Sequence, residues 1–552
     1  MTEPASKRQQ PGLGAAGPFG GGLAARQAQG PSPGKVKLSR RALLVRLVQG
    51  SLGVGTVAVL GGLEGPAWAA PSPQVRAAPS SKPSLPQLSG ARSASTHAGQ
   101  YVFRSRPDLK APVITIDKQS HGLAPGLILT DSHAGPADQG PMIFDSNGDL
   151  VWFLDLSPGT DTDLRAFNFQ VQSLAGKPVL TWFQGTVVNA HGLGHYELWG
   201  PGYTRVAQVK AQNSYQADLH DFVLTDKGTA LFTCYGEAPA NLSKFGGKSD
   251  GTYYYGVVQE VEVTSGKLLF EWRSDEHVPL AQSNLKLTSP AAPWDYFHLN
   301  SVSVDPTDGN LIISGRNTWA FYKLHRSTGK ILWQLGGKTN DFKLGPGANF
   351  AFQHDVRRNA GGSVSLFDNE GGPPNEASQS RGLILSVDEV HRTAALLHQY
   401  DHSPPVMTQA LGSVQELADG HRFIGWGESS YFTEYGANGE AILDGQLAEG
   451  TECYRTFKQV WSGQPSNEAP AMAVARGTAT ATVYASYNGC TDVAAWLVLG
   501  GPSASKLTPL GRATRLGFET AITVHTPPVY VAVEAIGSDG KVLARSAARP
   551  AR

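Results

Sequence analysis

Short runs of alternating apolar and polar residues, each folded back at a Gly- or Asp-containing turn, recur from about residue 120 to about residue 465. Two kinds of unit alternate. One is exemplified by LHDFVLTDKGTALFTCYG, FHLNSVSVDPTDGNLIISGRN, FQHDVRRNAGGSVSLFDNEGG and SVQELADGHRFIGWGE. The other is a hairpin whose Gly turn often precedes a large apolar residue: PMIFDSNGDLVWFLDL, HYELWGPGYTRVAQV, VQEVEVTSGKLLFEW, FYKLHRSTGKILWQLGG, GLILSVDEVHRTAALLHQY and FTEYGANGEAILDG. Alternation with period two and tight glycine turns mark both as antiparallel strand pairs. Two hairpins in succession make a four-stranded meander, and such meanders repeated about every 45–80 residues are the signature of a β-propeller. Six outer hairpins predict six blades over residues 120–465. A β-sandwich also offers many short strands, but not this paired recurrence.

Composition agrees with strands and turns. Gly (64) and Pro (36) are abundant and charged residues make up only 17%, a balance suited to short strands rather than long helices. The formal net charge is zero, which gives no reason to expect a nucleic-acid partner or an anionic membrane surface.

Both ends differ from the repeat. Residues 1–70 combine a Gly/Pro/Ala/Gln-rich stretch, expected to be disordered, with KVKLSRRALLVRLVQGSLGVGTVAVLGGLEGPAWAA. There, basic residues precede a short apolar run, and Ala67 and Ala69 precede an expected cleavage point. Ser39-Arg40-Arg41 reads as a twin-arginine export signal, and after cleavage no membrane insertion remains; a retained membrane anchor is the rival reading. The string GLGAAG at Gly12–Gly17 follows no strand and is not a dinucleotide fingerprint. Residues 71–119 read as a linker and entry segment. Residues 470–552, with GTATATVYASYNGCTDVAAWLVLGG and a buried-looking Trp496, read as a small fibronectin- or immunoglobulin-like sandwich. Three cysteines, Cys234, Cys453 and Cys490, are too few for a disulfide scaffold; Cys453–Cys490 pairing and buried free thiols both stand as readings.

Hairpin geometry collects the polar residues. A chain entering a hairpin at one sheet edge returns to that edge after the turn. His298 and Asn300 therefore meet Arg316 and Asn317, His354 meets Asp368 and Asn369, and His220 meets Tyr235. If these are innermost strands of successive blades, three histidines and an arginine converge at one channel mouth. A lone histidine at a strand edge is ordinarily a satisfied turn residue, and a lone arginine an exposed ion pair. The same placement in three hairpins argues for a shared purpose. His133, His277, His325, His391 and His402 fall elsewhere in the repeat and keep the ordinary reading. Trp294, Phe297, Trp319 and Trp426 are open between core and pocket wall.

Two chemistries fit. Three imidazoles can hold zinc or copper, although no HxH or HExxH spacing appears. Alternatively, one neutral histidine attacks, a second protonates the leaving group, and Arg and Asn donors hold anionic oxygens. GGKS at Gly246 and GGKT at Gly336 lack the upstream glycine of a phosphate loop, so no nucleotide donor is indicated.

The strings DLRAFNFQVQSLAGKPVLTWFQG, DLHDFVLTDKGTAL, YFHLNSV, FAFQHDVR, SLFDN and GWGESSYFTEY resemble the bacterial arylsulfate sulfotransferase family over residues 120–465. The trailing strands resemble, more weakly, the tail of its actinobacterial-type members. The resemblance implies a six-bladed propeller, an exported enzyme, no cofactor and no nucleotide donor. It implies sulfuryl transfer from a phenolic sulfate ester to a phenol through a sulfated histidine. By motif, His354 matches the nucleophile, His298 and Asn300 the His-x-Asn pair, Arg316 the sulfate-binding arginine, and His220 an acid/base or sulfate ligand. Asn369 is expected to shape the substrate pocket. The family's last-blade threonine has Ser429, Ser430 and Thr433 as candidates, of which Thr433 keeps the residue type. A quinoprotein-like or metal-binding propeller, suggested by TGKILWQ, and a non-catalytic ligand-binding propeller are the competing classes.

Overall fold

The computed structural model describes residues 85–157, 164–287, 289, 292–370 and 378–551. The expected signal segment lies outside them. The described residues form strands and short 3-10 turns, with no α-helix among them, as the alternating patterns predict.

Four-strand antiparallel groups follow one another. Each expected outer hairpin forms the third and fourth strands of a group. Leu299–Val304, Leu311–Gly315, Ala320–Leu324 and Ile331–Gly336 make one such sheet. His354–Arg358, Ser363–Asp368, Arg381–Asp388 and Thr393–Asp401 make the next. The groups that begin at Arg165–Leu174 and Ala217–Leu224 are joined by pairing of Gly194 with Ala217. Thr456–Gln459, late in the chain, pairs with Leu127–Ser132, so the end of the repeat is stitched to its beginning.

The first strands of successive groups lie side by side: Arg165–Leu174, Ala217–Leu224, Leu299–Val304, His354–Arg358, Ser413–Glu416, Thr456–Gln459, and back to Arg165–Leu174. Apolar residues fill the spaces between sheets. Ile312, Phe321 and Trp333 pack on Val356, Leu366 and Leu383, and Phe367 and Ile384 pack on Val414, Ile424 and Trp426. Burial of these faces, at about 25 cal/mol per Å² of apolar area, is what holds neighbouring sheets together.

Part of the segment expected to be linker is structured. Ile114–Gln119 pairs with Ala441–Leu447 as a fifth strand, and Gly90–Arg92 pairs with Glu519–His525. Both take up free sheet edges, which removes unpaired backbone groups. The C-terminal residues form two sheets, one containing Ala471–Arg476, Thr480–Ser486 and Glu519–His525, the other built around Val493–Ser503 and Tyr530–Gly537. Trp496 is fully buried there. All three cysteines are buried free thiols, so the Cys453–Cys490 bridge does not form.

Candidate active site

The strands that carry the expected site residues are irregular where those residues sit. Pairing registers shift between Phe167 and Gln170, Ala217 and Phe222, Leu299 and Ser301, and His354 and Arg357. Such bulges re-aim side chains at strand ends. Asn168 and Asp355, inside two of these shifts, have φ of 59° and 54°, and His298, just before a third, has φ of 54°, a left-handed conformation rare for non-glycine residues.

Three expected histidines come together. His220 Nε2 lies 3.2 Å from His298 Nε2, and both rings are buried. His354 is fully buried and close enough that His298 and His220 both act on its charge. Tyr235 returns beside His220, with ring centroids 6.1 Å apart, and donates to Leu299 O at 2.7 Å.

What backs each ring separates their roles. His220 Nδ1 is 2.6 Å from Asp218 Oδ2, and His298 Nδ1 bonds Asp295 Oδ2. His354 Nδ1 instead faces neutral acceptors, Asn369 Oδ1 at 2.7 Å and Phe352 O at 3.1 Å. Those acceptors require the proton on Nδ1 and leave the Nε2 lone pair to accept, which it does weakly from Leu411 N–H at 3.3 Å. Burial, with Arg316 adding, pushes His354 well below the ordinary histidine range, against its bond to Asn369. In that tautomer the Nε2 lone pair of His354 is the ring's basic, electron-donating position.

The carboxylates are held ionised. Burial alone would raise Asp218, but His220, His191 and the Gly192 N–H outweigh it and bring it down to about 2. Asp295 is likewise held well below the carboxylate range by His298 and His191 against burial. His298 is pushed down to about 4 by burial, with His220 and Arg316 adding, against Asp295.

Arg316 is half-buried over the Phe352 ring, 4.7 Å from its centroid. It donates to Asn317 Oδ1 and Gln409 O, each at 2.8 Å. Its Nε is buried without a protein partner. A guanidinium held by neutral acceptors retains its charge for an anion.

Three expected ligands sit differently. Asn300 donates one Nδ2–H to Gln353 O at 2.7 Å, while its Oδ1 is buried without a protein partner. Asn369 orients His354, and its own Nδ2 donates to Leu411 O at 3.0 Å and Thr408 Oγ1 at 3.3 Å. Thr433 lies within its sheet, accepting from Trp426 Nε1 and donating to Asp444. Ser429 and Ser430 donate to the Trp426 and Thr451 carbonyls. The threonine brought to the His354 partner is Thr408. Asp368 turns away, to Arg381 at 2.9 Å and Ala351 N–H at 3.0 Å, and burial raises it to about 7.

Sequence reasoning missed His191, Asp218, Asp295 and the Thr408–Gly412 loop. The pattern was present: Asp218-x-His220 and Asp295-x-x-His298 place a carboxylate just before a histidine, whereas Phe350-Ala351-Phe352-Gln353 before His354 contains none. His191 comes from the third strand of a neighbouring group, outside the hairpins that carry the others. His133, assigned to the ordinary class, stacks on Phe167 with centroids 4.4 Å apart and is backed by Asp131. Trp294, Phe297 and Trp426 prove to be core, while Trp319 is half-buried against Phe352.

His191, Asp295 and His298 are the group of converging donor atoms among the described residues that a metal ion would require. Asp295 Oδ2 already contacts both ring nitrogens directly, so the three form a hydrogen-bonded triad.

Below the histidines, a charged layer crosses the interior. Arg455, fully buried, donates to Asp221 at 3.0 Å and Asn168 at 3.1 Å and lies 3.6 Å from Asp355. Arg357 bonds Asp221 at 2.8 Å and Asp355 at 2.9 Å. Asp221 and Asp355 each directly follow a cluster histidine. Beyond this layer, at the turn ends of the inner strands, a cavity of about 670 Å³ is lined by Leu224, Val304, Arg357, Val414 and Phe457. None of the three expected histidines lines it, so here volume and chemistry mark different places.

No curated protein matches the chain. Solved structures with some likeness include a protein of unknown function from Bacteroides caccae, at 10% identity over 60% of this chain and 98% of that one, TM-score 0.38. Others are the Pseudomonas aeruginosa periplasmic gluconolactonase, at 12% over 73% and 99%, TM-score 0.34, and an inactive virginiamycin B lyase from Staphylococcus aureus, at 9% over 66% and 97%, TM-score 0.30. At such scores these likenesses carry no argument. The family model for arylsulfotransferase (ASST) matches residues 170–448, half of the chain. That span contains His191, His220, His298, Arg316 and His354, and the chain belongs to the arylsulfotransferase family.

Proposed function

We propose that this protein moves a sulfuryl group from a phenolic sulfate ester to a phenolic acceptor through a sulfohistidine at His354. The observation that carries the reading is the division of labour among the rings: one buried histidine backed by neutral acceptors, beside two backed by carboxylates. In the first half-reaction the His354 Nε2 lone pair attacks sulfur and an N–S bond forms. The S–O bond to the aryl group breaks, its electron pair goes to the phenolate oxygen, and the His220–His298 pair supplies the proton. In the second half, an acceptor phenol oxygen attacks sulfur, its proton returns to that pair, and the N–S bond breaks. Arg316 offsets charge on the sulfuryl oxygens, and such charge stabilisation does most to speed transfers of this kind, by analogy with phosphoryl transfer. The order is ping-pong.

The same proposal takes the four-strand groups as six blades of a propeller over residues 120–465, preceded by the Ile114–Gln119 strand, and residues 470–552 as a sandwich. It takes the twin-arginine segment as an export signal, placing the mature enzyme outside the cytoplasm. Brief exposure to phenyl sulfate without acceptor, followed by peptide mass spectrometry at a pH that preserves sulfohistidine, tests the central step. A sulfated peptide containing His354, lost in His354→Ala, is expected; undiminished turnover by His354→Ala would falsify the assignment.

A further inference from the structure

The hydrogen bonds around His220 and His298 can be counted proton by proton. Asp295 Oδ2 contacts both His191 Nε2, at 3.2 Å, and His298 Nδ1. A carboxylate oxygen only accepts, so both nitrogens carry hydrogen. Asp218 Oδ2 accepts from His220 Nδ1 at 2.6 Å, the His220 backbone N–H at 2.9 Å and the Thr233 hydroxyl at 3.0 Å. Both Nδ1 positions are therefore protonated. The two Nε2 atoms face each other at 3.2 Å. Two lone pairs there would repel and two protons would set two cations in contact. One proton makes an N–H···N bond, so the pair acts as a single one-proton acid. The charged and titratable groups around it are Asp218, Asp295, His191, Arg316, His354, Tyr235 and Tyr454.

Both carboxylates are bracketed by one dipeptide from a neighbouring strand. His191 bonds Asp295, and the N–H of Gly192 donates to Asp218 Oδ1 at 2.7 Å. The approach is close: a Cβ on Gly192 would fall 2.4 Å from Leu219 N. His191 is itself fixed, with its ring centroid 3.9 Å from that of Tyr235 and 4.6 Å from that of Tyr254.

We propose that His191 is a positioning residue for the leaving-group acid: through Asp295 it holds His298 as the Nδ1–H tautomer, so that one mobile proton is shared between His298 Nε2 and His220 Nε2. This rests on the sulfotransferase reading for its catalytic consequence, but the proton arrangement itself is independent of turnover. Without the His191 N–H, Asp295 is held by His298 alone, through the ring and through the His298 backbone N–H, 3.1 Å from Asp295 Oδ1, so nothing outside that residue fixes the carboxylate and its grip on the His298 tautomer weakens.

Two measurements test it. In ¹⁵N-histidine NMR of the resting enzyme, His298 is expected as the Nδ1–H form, with one downfield shared proton. Both signatures should be lost in His191→Phe and largely retained in His191→Gln, whose amide keeps a donor. A wild-type His298 without a proton on Nδ1, or signatures unchanged in His191→Phe, overturns the proposal. So does a stoichiometric metal ion bound by His191, Asp295 and His298 in purified enzyme. The second measurement is the rate of His354 sulfation across aryl sulfates of differing leaving-group acidity. General acids contribute about 10²–10⁴-fold, so His191→Phe should slow phenyl sulfate about 10-fold or more and 4-nitrophenyl sulfate by less than about 3-fold. Equal slowing of both donors overturns the catalytic part. If wild type sulfates no histidine with any donor, the sulfotransferase reading falls while the NMR result still judges the tautomer.

Discussion

Arg316→Met removes the charge proposed to hold the sulfuryl oxygens while keeping much of the side chain's bulk. In the structure that guanidinium spends two of its five donors on neutral oxygens, Asn317 Oδ1 and Gln409 O, each at 2.8 Å. The remaining donors are what an anion would engage. Losing one directly engaged donor typically costs about 3 kcal/mol of transition-state stabilisation, or about 10²–10³ in kcat. The fold should tolerate the change. Cation–π contact with Phe352 is worth about 1 kcal/mol, and removing a charge that burial disfavours offsets it. A second signature follows from Arg316 being a cause of the depressed His354 pKa, after burial. Without it, His354 binds a proton more readily, and the acid limb of the pH–rate profile moves up. Stopped-flow measurement of phenol release from 4-nitrophenyl sulfate across pH, beside a thermal melt, reads all three effects. A folded variant with a wild-type rate and an unmoved acid limb would refute the role given to Arg316.

His298 makes the fold acid-sensitive: its folded pKa of about 4 lies below the ordinary 6.5, so the unfolded chain binds the proton more tightly. Its contribution, about 3 kcal/mol at about 1.4 kcal/mol per unit, is complete above about pH 6.5 and lost as pH falls through about 4. Urea midpoints measured across pH should show this slope, and His298→Asn should flatten it. Arg455→Met should cost about 3–5 kcal/mol by leaving Asp221 and Asp355 with an uncompensated buried charge; an unchanged urea midpoint would contradict this account of the charged layer. Thiol reagents should find no reactive cysteine in the native protein and three per chain after denaturation; a native disulfide would show as fewer than three without reductant.

The strand pattern was legible because period-two alternation and glycine turns are local properties, and hairpins carry their ends to one place without further information. That was enough to bring His220, His298 and His354 together and to set Tyr235 beside His220. It did not reveal the partners of Asn300, Asn369 and Thr433. Their hydrogen-bonding capacity is decided by neighbours distant in sequence: Gln353 for Asn300, His354 and Leu411 for Asn369, Asp444 for Thr433. His191 escaped for a related reason. It enters from an outer strand that only the pairing of Gly194 with Ala217 brings alongside, and a side chain's charge says nothing of which sheet it will lean against. The bulges that aim the histidines leave a trace in sequence only in hindsight, as polar residues at Asn168 and Asp355 in strands otherwise patterned for pairing.

The layer of Arg455, Asp221, Arg357 and Asp355 has a consequence for traffic. On the proposed propeller it lies across the way from the histidines to the cavity at the turn ends, and ions bound on several sides do not step aside for a passing ring. On the proposed reading, the site then has a single door. A spent phenol must back out through the opening by which its sulfate ester entered, and the acceptor waits outside until it has gone. The order of events would thus follow from there being nowhere else to go.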